Sequence, residues 1–289
     1  MISFRYHIVS LAAVLIALAA GVALGAGPLQ KADESAATPE TVVADISPAL
    51  AGFEAAFTKA NSERIVKDKL DDQVVLILTT PGAREAEVKS LAEYIESAGG
   101  SVGGEITLTS KLLDPANRQF AESVASQSAG DAVGDGEDYA KVVSAFARAF
   151  IAKDGADPDT LAQTIRSAFI EGGLIEYVSE PATTATMVLV VTGPHTSATE
   201  GEGIVLSSAI GAIDAAGNGA VVAGPASSGT EGGVVAQVRD SAATGSVSTV
   251  DVTDLGSGRV LAILALAQEI AGTSGAWGTS NAADGAYPR

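Results

Sequence analysis

The sequence predicts an α/β protein in which an N-terminal transmembrane helix and a short helical stalk precede a Rossmann-like, mostly parallel sheet built from two βαβ halves. Three observations support this prediction: an uncharged apolar run near the N-terminus, a short apolar stripe after a polar linker, and two later alternations of strand and helix patterns. The predicted segments are a cytoplasmic N-terminus (1–7), a transmembrane anchor (8–27), a linker (28–45), a juxtamembrane helix (46–70), an extracytoplasmic α/β domain (71–271) and a flexible tail (272–289).

The apolar run over residues 8–27 is long enough to cross a bilayer. It contains no charged residue, and a helix of about 20 residues spans roughly 30 Å, the thickness of the hydrocarbon core. Arg5 precedes the run, whereas Lys31 and the two acidic residues after it bring no excess of positive charge. The positive-inside rule therefore places the N-terminus in the cytoplasm and the following domain outside it.

The same run leaves a second interpretation open, a cleaved signal peptide that would deliver the domain to an outer layer of the envelope. The small residues Gly25-Ala26-Gly27 permit cleavage, but the apolar core of a signal peptide is usually about 7–15 residues long, and this run is longer. Ala17, Gly21 and Gly25 recur at intervals of four, the G-x-x-x-G spacing that lets two membrane helices pack closely. We predict an uncleaved anchor that packs against a second copy; ordinary enrichment of Gly and Ala in apolar segments is the alternative explanation of the spacing.

The chain is strongly acidic, with 35 Asp and Glu residues against 17 Lys and Arg residues and a net charge of −18. Nucleic acids and anionic membrane surfaces attract proteins through Lys and Arg, so neither is an expected partner. The chain has no cysteine, and its predicted placement outside the cytoplasm therefore rests on the anchor and not on disulfides. The part that follows the anchor is long enough to bury a sizeable core.

A stripe of apolar residues lies in the juxtamembrane segment at steps that alternate four and three, as in the a and d positions of a coiled coil. Its residues are Ile46, Leu50, Phe53, Phe57 and Ala60. Pro48 suits the first turn of the helix and Ser47 its N-cap. The stripe predicts the interface of a homodimeric stalk; the alternative is an amphipathic helix whose apolar side lies on its own domain.

The first βαβ unit begins with Gln73–Thr80, a short apolar run of the kind found in buried parallel strands. Pro81-Gly82 ends this run, and a helix follows with Val88, Leu91, Ala92 and Ile95 on one face. A second strand is predicted over Ser101–Leu108, after a Gly-Gly stop.

The second unit repeats this order, with a strand at Thr186–Thr192, a Gly193-Pro194 turn, a helix through Ile204–Ala216 and a strand at Ala220–Ala223. The remaining predicted elements are helices at Tyr139–Ile151, Pro158–Glu171 and Gly258–Ala271 and a short strand at Leu174–Val178. Two βαβ units favour a single sheet with right-handed crossovers.

No motif in the sequence predicts catalysis, so we expect a protein that is not an enzyme. A thiol nucleophile is absent, and a Ser-His-Asp triad would have to use His195, because His7 lies at the membrane edge. His195 follows a predicted parallel strand, where α/β proteins often bind ligands, although an exposed turn histidine is the simpler interpretation. The patterns Gly201-x-Gly203 and Gly217-x-Gly219 do not match a nucleotide-binding loop, and the acidic loop from Asp131 lacks the spacing of a calcium loop.

Several segments, taken together and in order, resemble the actinobacterial MctB family (mycobacterial copper transport protein B). They are the N-terminal run Ser10–Gly25, the segment Val75–Thr109 with its Thr-Pro break and Ala-Gly-Gly stop, the helix Gly258–Leu266 and the Trp277-Gly278 tail. The resemblance covers nearly the whole chain. Residues 28–70 depart from it, since family members carry a longer, more charged coiled-coil segment there. The resemblance implies copper efflux or copper homeostasis at the cell envelope.

Copper is implied as a ligand by this resemblance alone. Copper(I) prefers clustered Cys and Met ligands and copper(II) prefers imidazoles, whereas the chain offers no Cys, two Met and two His. His195 and Met187 are the candidate copper ligands that remain. The resemblance also implies an alternative function, a dimeric membrane-anchored scaffold that acts with a membrane division protein to regulate a peptidoglycan hydrolase during cell separation.

Overall fold

The computed structural model describes residues 47–133, 136, 139–196 and 200–288, and within them a seven-stranded sheet lies between two layers of helices. The strands are β1 Val74–Thr79, β2 Ser101–Leu108, β3 Ile175–Ser179, β4 Met187–Val191, β5 Ala220–Ala223, β6 Ser248–Val250 and β7 Ala276–Trp277. The α-helices are α1 Pro48–Val66, α2 Glu85–Ser97, α3 Ser110–Leu113, α4 Arg118–Ala129, α5 Ala140–Phe150, α6 Thr160–Glu171, α7 Glu200–Ala216, α8 Val234–Arg239 and α9 Gly256–Ile270.

The strand order in the sheet is β3-β2-β1-β4-β5-β6-β7. Every neighbouring pair is parallel except β2 and β3. The order reverses between β1 and β4, as it does between the two halves of a doubly wound dinucleotide-binding fold. The mostly parallel sheet predicted from the two βαβ units is therefore confirmed.

Alternate residues of the central strands divide the hydrophobic core between the two faces of the sheet. On β1, Leu76 and Leu78 face the layer that contains α3 to α8. Val75 and Ile77 on the same strand face α2, α9 and the end of α1. All four side chains are fully buried, which is why a parallel strand covered on both faces appears in the sequence as an unbroken apolar run.

The predicted strands agree with the structure where the apolar run is long. Those at Gln73–Thr80 and Thr186–Thr192 match β1 and β4 to within one residue at each end, and those at Ser101–Leu108 and Ala220–Ala223 match β2 and β5. The strand predicted at Leu174–Val178 is β3, displaced by one residue and antiparallel to β2.

Within the C-terminal segment 272–289, predicted to be flexible except around Trp277, residues Ala276–Trp277 form the edge strand β7. The segment is held by the buried carboxylate of Asp251, which accepts hydrogen bonds from the backbone N–H groups of Thr279 and Ser280 and pairs with Arg239. Burial by itself raises the pKa of Asp251, but these hydrogen bonds and the charge of Arg239 outweigh it and lower the pKa overall. A Gly- and Ser-rich composition predicts flexibility because it cannot reveal a charged partner elsewhere in the chain.

Among the residues that the structure describes, no helix is both long and apolar enough to cross a membrane. The predicted anchor 8–27, with its packing residues Ala17, Gly21 and Gly25, lies outside the described residues, and so does Ile46.

Candidate functional site

The carboxyl ends of β1 and β4 meet where the strand order reverses, the place where open α/β sheets bind ligands. The loops after these two strands pack backbone to backbone, and a Cβ atom at Gly193 would come within 2.7 Å of the Pro81 carbonyl oxygen. The Gly193 N–H also donates to Thr80 Oγ1 at 3.4 Å. A residue with a side chain at 193 would force the loops apart, so this edge of the sheet is closely packed.

Three buried polar atoms without a hydrogen-bond partner lie at this edge: Thr192 Oγ1, His195 Nδ1 and Glu202 Oε2. Thr192 is completely buried and Glu202 is 7% exposed. Burial raises the pKa of Glu202 to about 7, and a hydrogen bond from the side chain of Thr80 opposes that rise. We call Thr192, His195 and Glu202 the switch-point cluster.

The structure separates the two candidate copper ligands predicted from the sequence. Met187 is the first residue of β4 and is completely buried, with its Cε atom close to Gly219. His195 lies beyond the other end of the same strand, where its backbone N–H donates to Ser227 Oγ at 3.3 Å. The thioether and the imidazole therefore belong to opposite edges of the sheet and form no common site.

A second polar region lies at the amino ends of β5 and β6, in a cleft of about 610 Å³. Glu269 and Asp214 line it, and burial together with the negative charge of Asp214 raises the pKa of Glu269 to about 7. Glu269 accepts a hydrogen bond from Ser248 N–H at 2.7 Å, and Asp214 accepts one from Ala220 N–H at 2.8 Å. Both carboxylates thus hold the first residues of a strand, which gives them a structural role.

The helix α1 packs on its own domain with its polar side. Thr58 and Ser62 are buried, and the Glu54 carboxylate accepts hydrogen bonds from the N–H groups of Gly256 at 3.2 Å and Ser257 at 2.6 Å. These are the first two residues of α9, so Glu54 satisfies N–H groups that have no partner within that helix. Burial by itself would raise the pKa of Glu54, but the hydrogen bonds from Ser257, Thr58 and Gly256 outweigh it and lower the pKa.

The predicted apolar stripe of α1 faces away from the domain. Phe53 is 68% exposed, Phe57 59% and Leu50 57%, and Ala60 is also exposed. The Phe53 and Phe57 rings stack with their centroids 6.1 Å apart. The alternative prediction, in which this apolar side lies on the protein's own domain, is therefore wrong for the residues described, because the docked side is the polar one. Three large apolar side chains are therefore exposed together on one helix face.

In the described ranges, no group of three or more His, Cys, Asp or Glu side chains is placed to hold a metal ion. A relay that passes copper between clustered soft ligands does not fit the side chains at hand, because Met187 and His195 are at opposite edges and cysteine is absent.

A scan against protein-family models matches residues 1–288 to the family described as "Copper transport outer membrane protein, MctB". The chain belongs to the MctB family. It is 31% identical over 312 residues to the "Copper transporter MctB" of Mycobacterium tuberculosis, a match that covers 98% of each chain. It is 29% identical over 309 residues to the protein of the same name from Mycobacterium leprae, with 94% of each chain covered. The resemblance to the MctB family identified from the sequence is confirmed.

The sequence analysis did not identify two residues whose burial or contacts the structure reveals. They are Glu202 of the switch-point cluster and Glu54 of α1. Glu202 lies in a polar stretch of sequence, which predicts an exposed side chain. It is buried instead because the start of α7 packs against the ends of β1 and β4. Glu54 is flanked in sequence by the apolar stripe, and a carboxylate beside apolar residues in a helix could have indicated a second, docked face.

Proposed function

We propose that this MctB-family protein serves copper efflux or copper homeostasis at the cell envelope, as a single-pass membrane protein with its α/β domain outside the cytoplasm. Membership of the MctB family supports the copper role, because the mycobacterial relatives carry the name copper transporter. The uncharged run over residues 8–27 and the charges that flank it support the topology.

The proposed role is that of an interaction protein without enzymatic activity, which pairs with a second copy through Leu50, Phe53, Phe57 and Ala60. The observation that carries it is the exposure of this stripe on a helix whose opposite side is docked to the domain. Burying one large apolar side chain contributes roughly 1.5–3 kcal/mol. Three such side chains from each of two copies make a driving force large enough to offset the loss of translational freedom on pairing.

Anchoring in a shared membrane would assist this pairing. Residues 28–45 separate the proposed anchor from α1, and two anchored copies would share one membrane surface. Confinement of both copies raises the effective concentration of one stripe near the other. The spacing of Ala17, Gly21 and Gly25 supports contact between the anchors themselves.

A second candidate function, a scaffold that regulates a peptidoglycan hydrolase together with a membrane division protein, is favoured by the same exposed stripe. In that case the stripe would bind a different protein, or the dimer would present a surface that binds one. The two candidates differ in what the cell loses with the protein: copper export in one, separation of daughter cells in the other.

Cell-associated copper in a deletion strain tests the proposal. We expect copper to rise above the wild-type level during growth in added copper, and to return to that level when the full chain is restored. Unchanged copper in the deletion strain, with cells that remain attached after division, would overturn the copper role and leave the scaffold.

A further inference from the structure

The sheet has an open edge at β3. This strand is the first in the sheet order and pairs with β2, and no other segment that the structure describes pairs with its outer side. Just before β3, the Leu174 carbonyl oxygen accepts a hydrogen bond from Thr109 N–H at 3.1 Å, so the backbone of Leu174 faces β2. Backbone groups of successive residues point to opposite edges of a strand, and those of Ile175 and Tyr177 therefore point outward. They are available to one further strand.

A groove of about 440 Å³ lies beside this open edge. It is lined by Tyr177 of β3, by Arg166 and Ile170 of α6, and by Glu180 and Pro181 after the strand. Tyr177 packs against the core layer that contains α6, and Ile170 is 40% exposed. A strand added to this edge would therefore direct every second side chain toward an apolar groove between the sheet and α6.

The opposite face of the same edge carries negative charge. Glu176 pairs with Thr107 across the ladder, and Glu105, two residues from Thr107 on β2, lies on the same face of the sheet. Glu176 is exposed, and burial together with the negative charge of Glu85 raises the pKa of Glu105. Opposite charges on neighbouring strands stabilise their pairing. A Lys or Arg side chain of an added strand would be attracted to this face.

The groove itself presents no available cation. Arg166 is the one basic residue among the described residues that line it, and this side chain is buried. Its guanidinium group donates to three main-chain carbonyl oxygens of the protein. A second copy of β3 is a poor occupant of the edge, because it would bring the same carboxylates close to one another.

We propose that the open edge of β3 binds an extended segment of a partner protein in which apolar residues alternate with Lys or Arg. Such binding is β-strand addition, in which main-chain hydrogen bonds supply affinity and alternate side chains supply specificity. The hydrogen bonds would go to Ile175 and Tyr177. The apolar side chains would enter the groove, and the basic ones would face Glu176 and Glu105. The stripe of α1 takes no part in this site, which goes beyond the proposed function.

Protection of the edge is the competing explanation of the same features. Charged side chains and β-bulges keep the edge strands of many proteins from pairing, and β3 has both Glu176 and a register shift toward its end. A protected edge binds no added strand, whether basic or acidic, so the two explanations give different results.

The test is fluorescence anisotropy of labelled peptides with the full chain in detergent at physiological ionic strength. A peptide of alternating Lys and Val should bind, and a peptide of alternating Glu and Val should not. Two further peptides keep the Lys and Val sequence but carry N-methyl groups, one on the Lys nitrogens and the other on the Val nitrogens. One of the two should bind about tenfold more weakly, because only alternate N–H groups of the added strand face β3. The other should bind like the parent peptide.

Two variants of the protein separate pairing at β3 from general attraction to an acidic chain. Glu176→Lys should weaken binding of the Lys and Val peptide at least about fivefold, since like charges then face each other. Glu231→Lys changes an exposed carboxylate elsewhere and alters the net charge by the same amount, so it should bind like the wild type. Thermal melting shows that both variants are folded. Amide hydrogen exchange should slow over residues 174–180 when the parent peptide is bound.

The proposal is overturned if the wild type does not bind the Lys and Val peptide, which would establish the protected edge. It is also overturned if both N-methylated peptides bind like the parent, or if Glu231→Lys weakens binding as much as Glu176→Lys does. Slower exchange confined to a different part of the chain would overturn it as well.

Discussion

Glu54 fixes which side of α1 faces the domain. Its carboxylate accepts hydrogen bonds from two N–H groups of α9 that would otherwise lack a partner, and Thr58 Oγ1 donates to the same carboxylate at 3.0 Å. Rotation of α1 to bury its phenylalanines would break the two hydrogen bonds that join Glu54 to α9. A single polar side chain thereby leaves an apolar stripe exposed.

Replacement of Glu54 by alanine should lower the free energy of unfolding at pH 7 by about 1 kcal/mol, the usual cost of a lost helix cap. The pKa of Glu54 is lowered in the folded protein, so its contribution is present above the unfolded-state pKa and is lost as the pH falls through the folded-state pKa. The difference between the variant and the wild type should therefore shrink in acid. Denaturant unfolding followed by Trp277 fluorescence at several pH values measures it.

Glu63→Ala is the matched control, because Glu63 lies exposed on the same helix. Its effect should stay within about 0.5 kcal/mol at every pH. If Glu54→Ala behaves like Glu63→Ala, the hydrogen bonds to α9 do not determine how α1 docks.

Individual site residues could be predicted from the sequence only where they follow a clear strand. His195 could be placed at the carboxyl edge of the sheet because Thr186–Thr192 is an unmistakable apolar run. Glu202 could not be predicted, because its burial depends on Thr80, more than a hundred residues earlier in the chain. Met187 could be assigned to the start of the same strand. Because His195 follows the end of that strand, the two side chains lie at opposite ends of it.

At the scale of elements, α1 combines a docked polar face with a free apolar face. Its stripe could be predicted from spacing alone, since Leu50, Phe53 and Phe57 recur at steps of three and four. Which face docks could not be predicted, because the partner residues Gly256 and Ser257 are two hundred positions away. Helical periodicity identifies two faces, and tertiary contacts decide which of them is free.

The double substitution Phe53→Asp, Phe57→Asp should abolish self-association of the full chain in detergent, because it places four carboxylates at the interface of a pair. The fold should be unaffected, since both side chains are exposed.

Light scattering coupled to size-exclusion chromatography measures the mass, with the wild type expected as a dimer. Lys59→Asp lies off the stripe on the same helix and changes the net charge by the same amount, so it should remain dimeric. A wild-type monomer, or a double variant that stays dimeric, would refute the homodimer.

Short strands set the limit of what could be predicted for the sheet. β6 has three residues, two of them Ser248 and Thr249, and β7 has two. Neither strand is long enough to show the two-residue alternation of a β-strand in the sequence. The polar side chains of β6 are buried and hydrogen-bonded, Ser248 to Gly275 N–H and Thr249 to Arg239. Both Arg239 and Asp251 also hold the C-terminal segment, through hydrogen bonds with Thr279 and Ser280 that join residues 28 to 41 positions apart in sequence.

At the scale of the whole molecule, the α/β domain carries two distinct features, one buried and one exposed. The doubly wound order of the sheet, which places β1 and β4 side by side, could be predicted in outline from two βαβ units. The switch-point cluster lies at one edge of this sheet, and the α1 stripe lies on the helix that follows residues 1–46. We propose that the exposed stripe, and not a series of copper ligands, serves the copper-related role of this MctB-family chain.

The most direct test of this central claim is the cell-associated copper of a deletion strain that expresses Phe53→Asp, Phe57→Asp at the wild-type level. We predict that copper remains as high as in the deletion strain, whereas the wild type and Lys59→Asp both restore it to normal. Full restoration of normal copper by the double variant would contradict the claim that the exposed stripe of α1 carries the function.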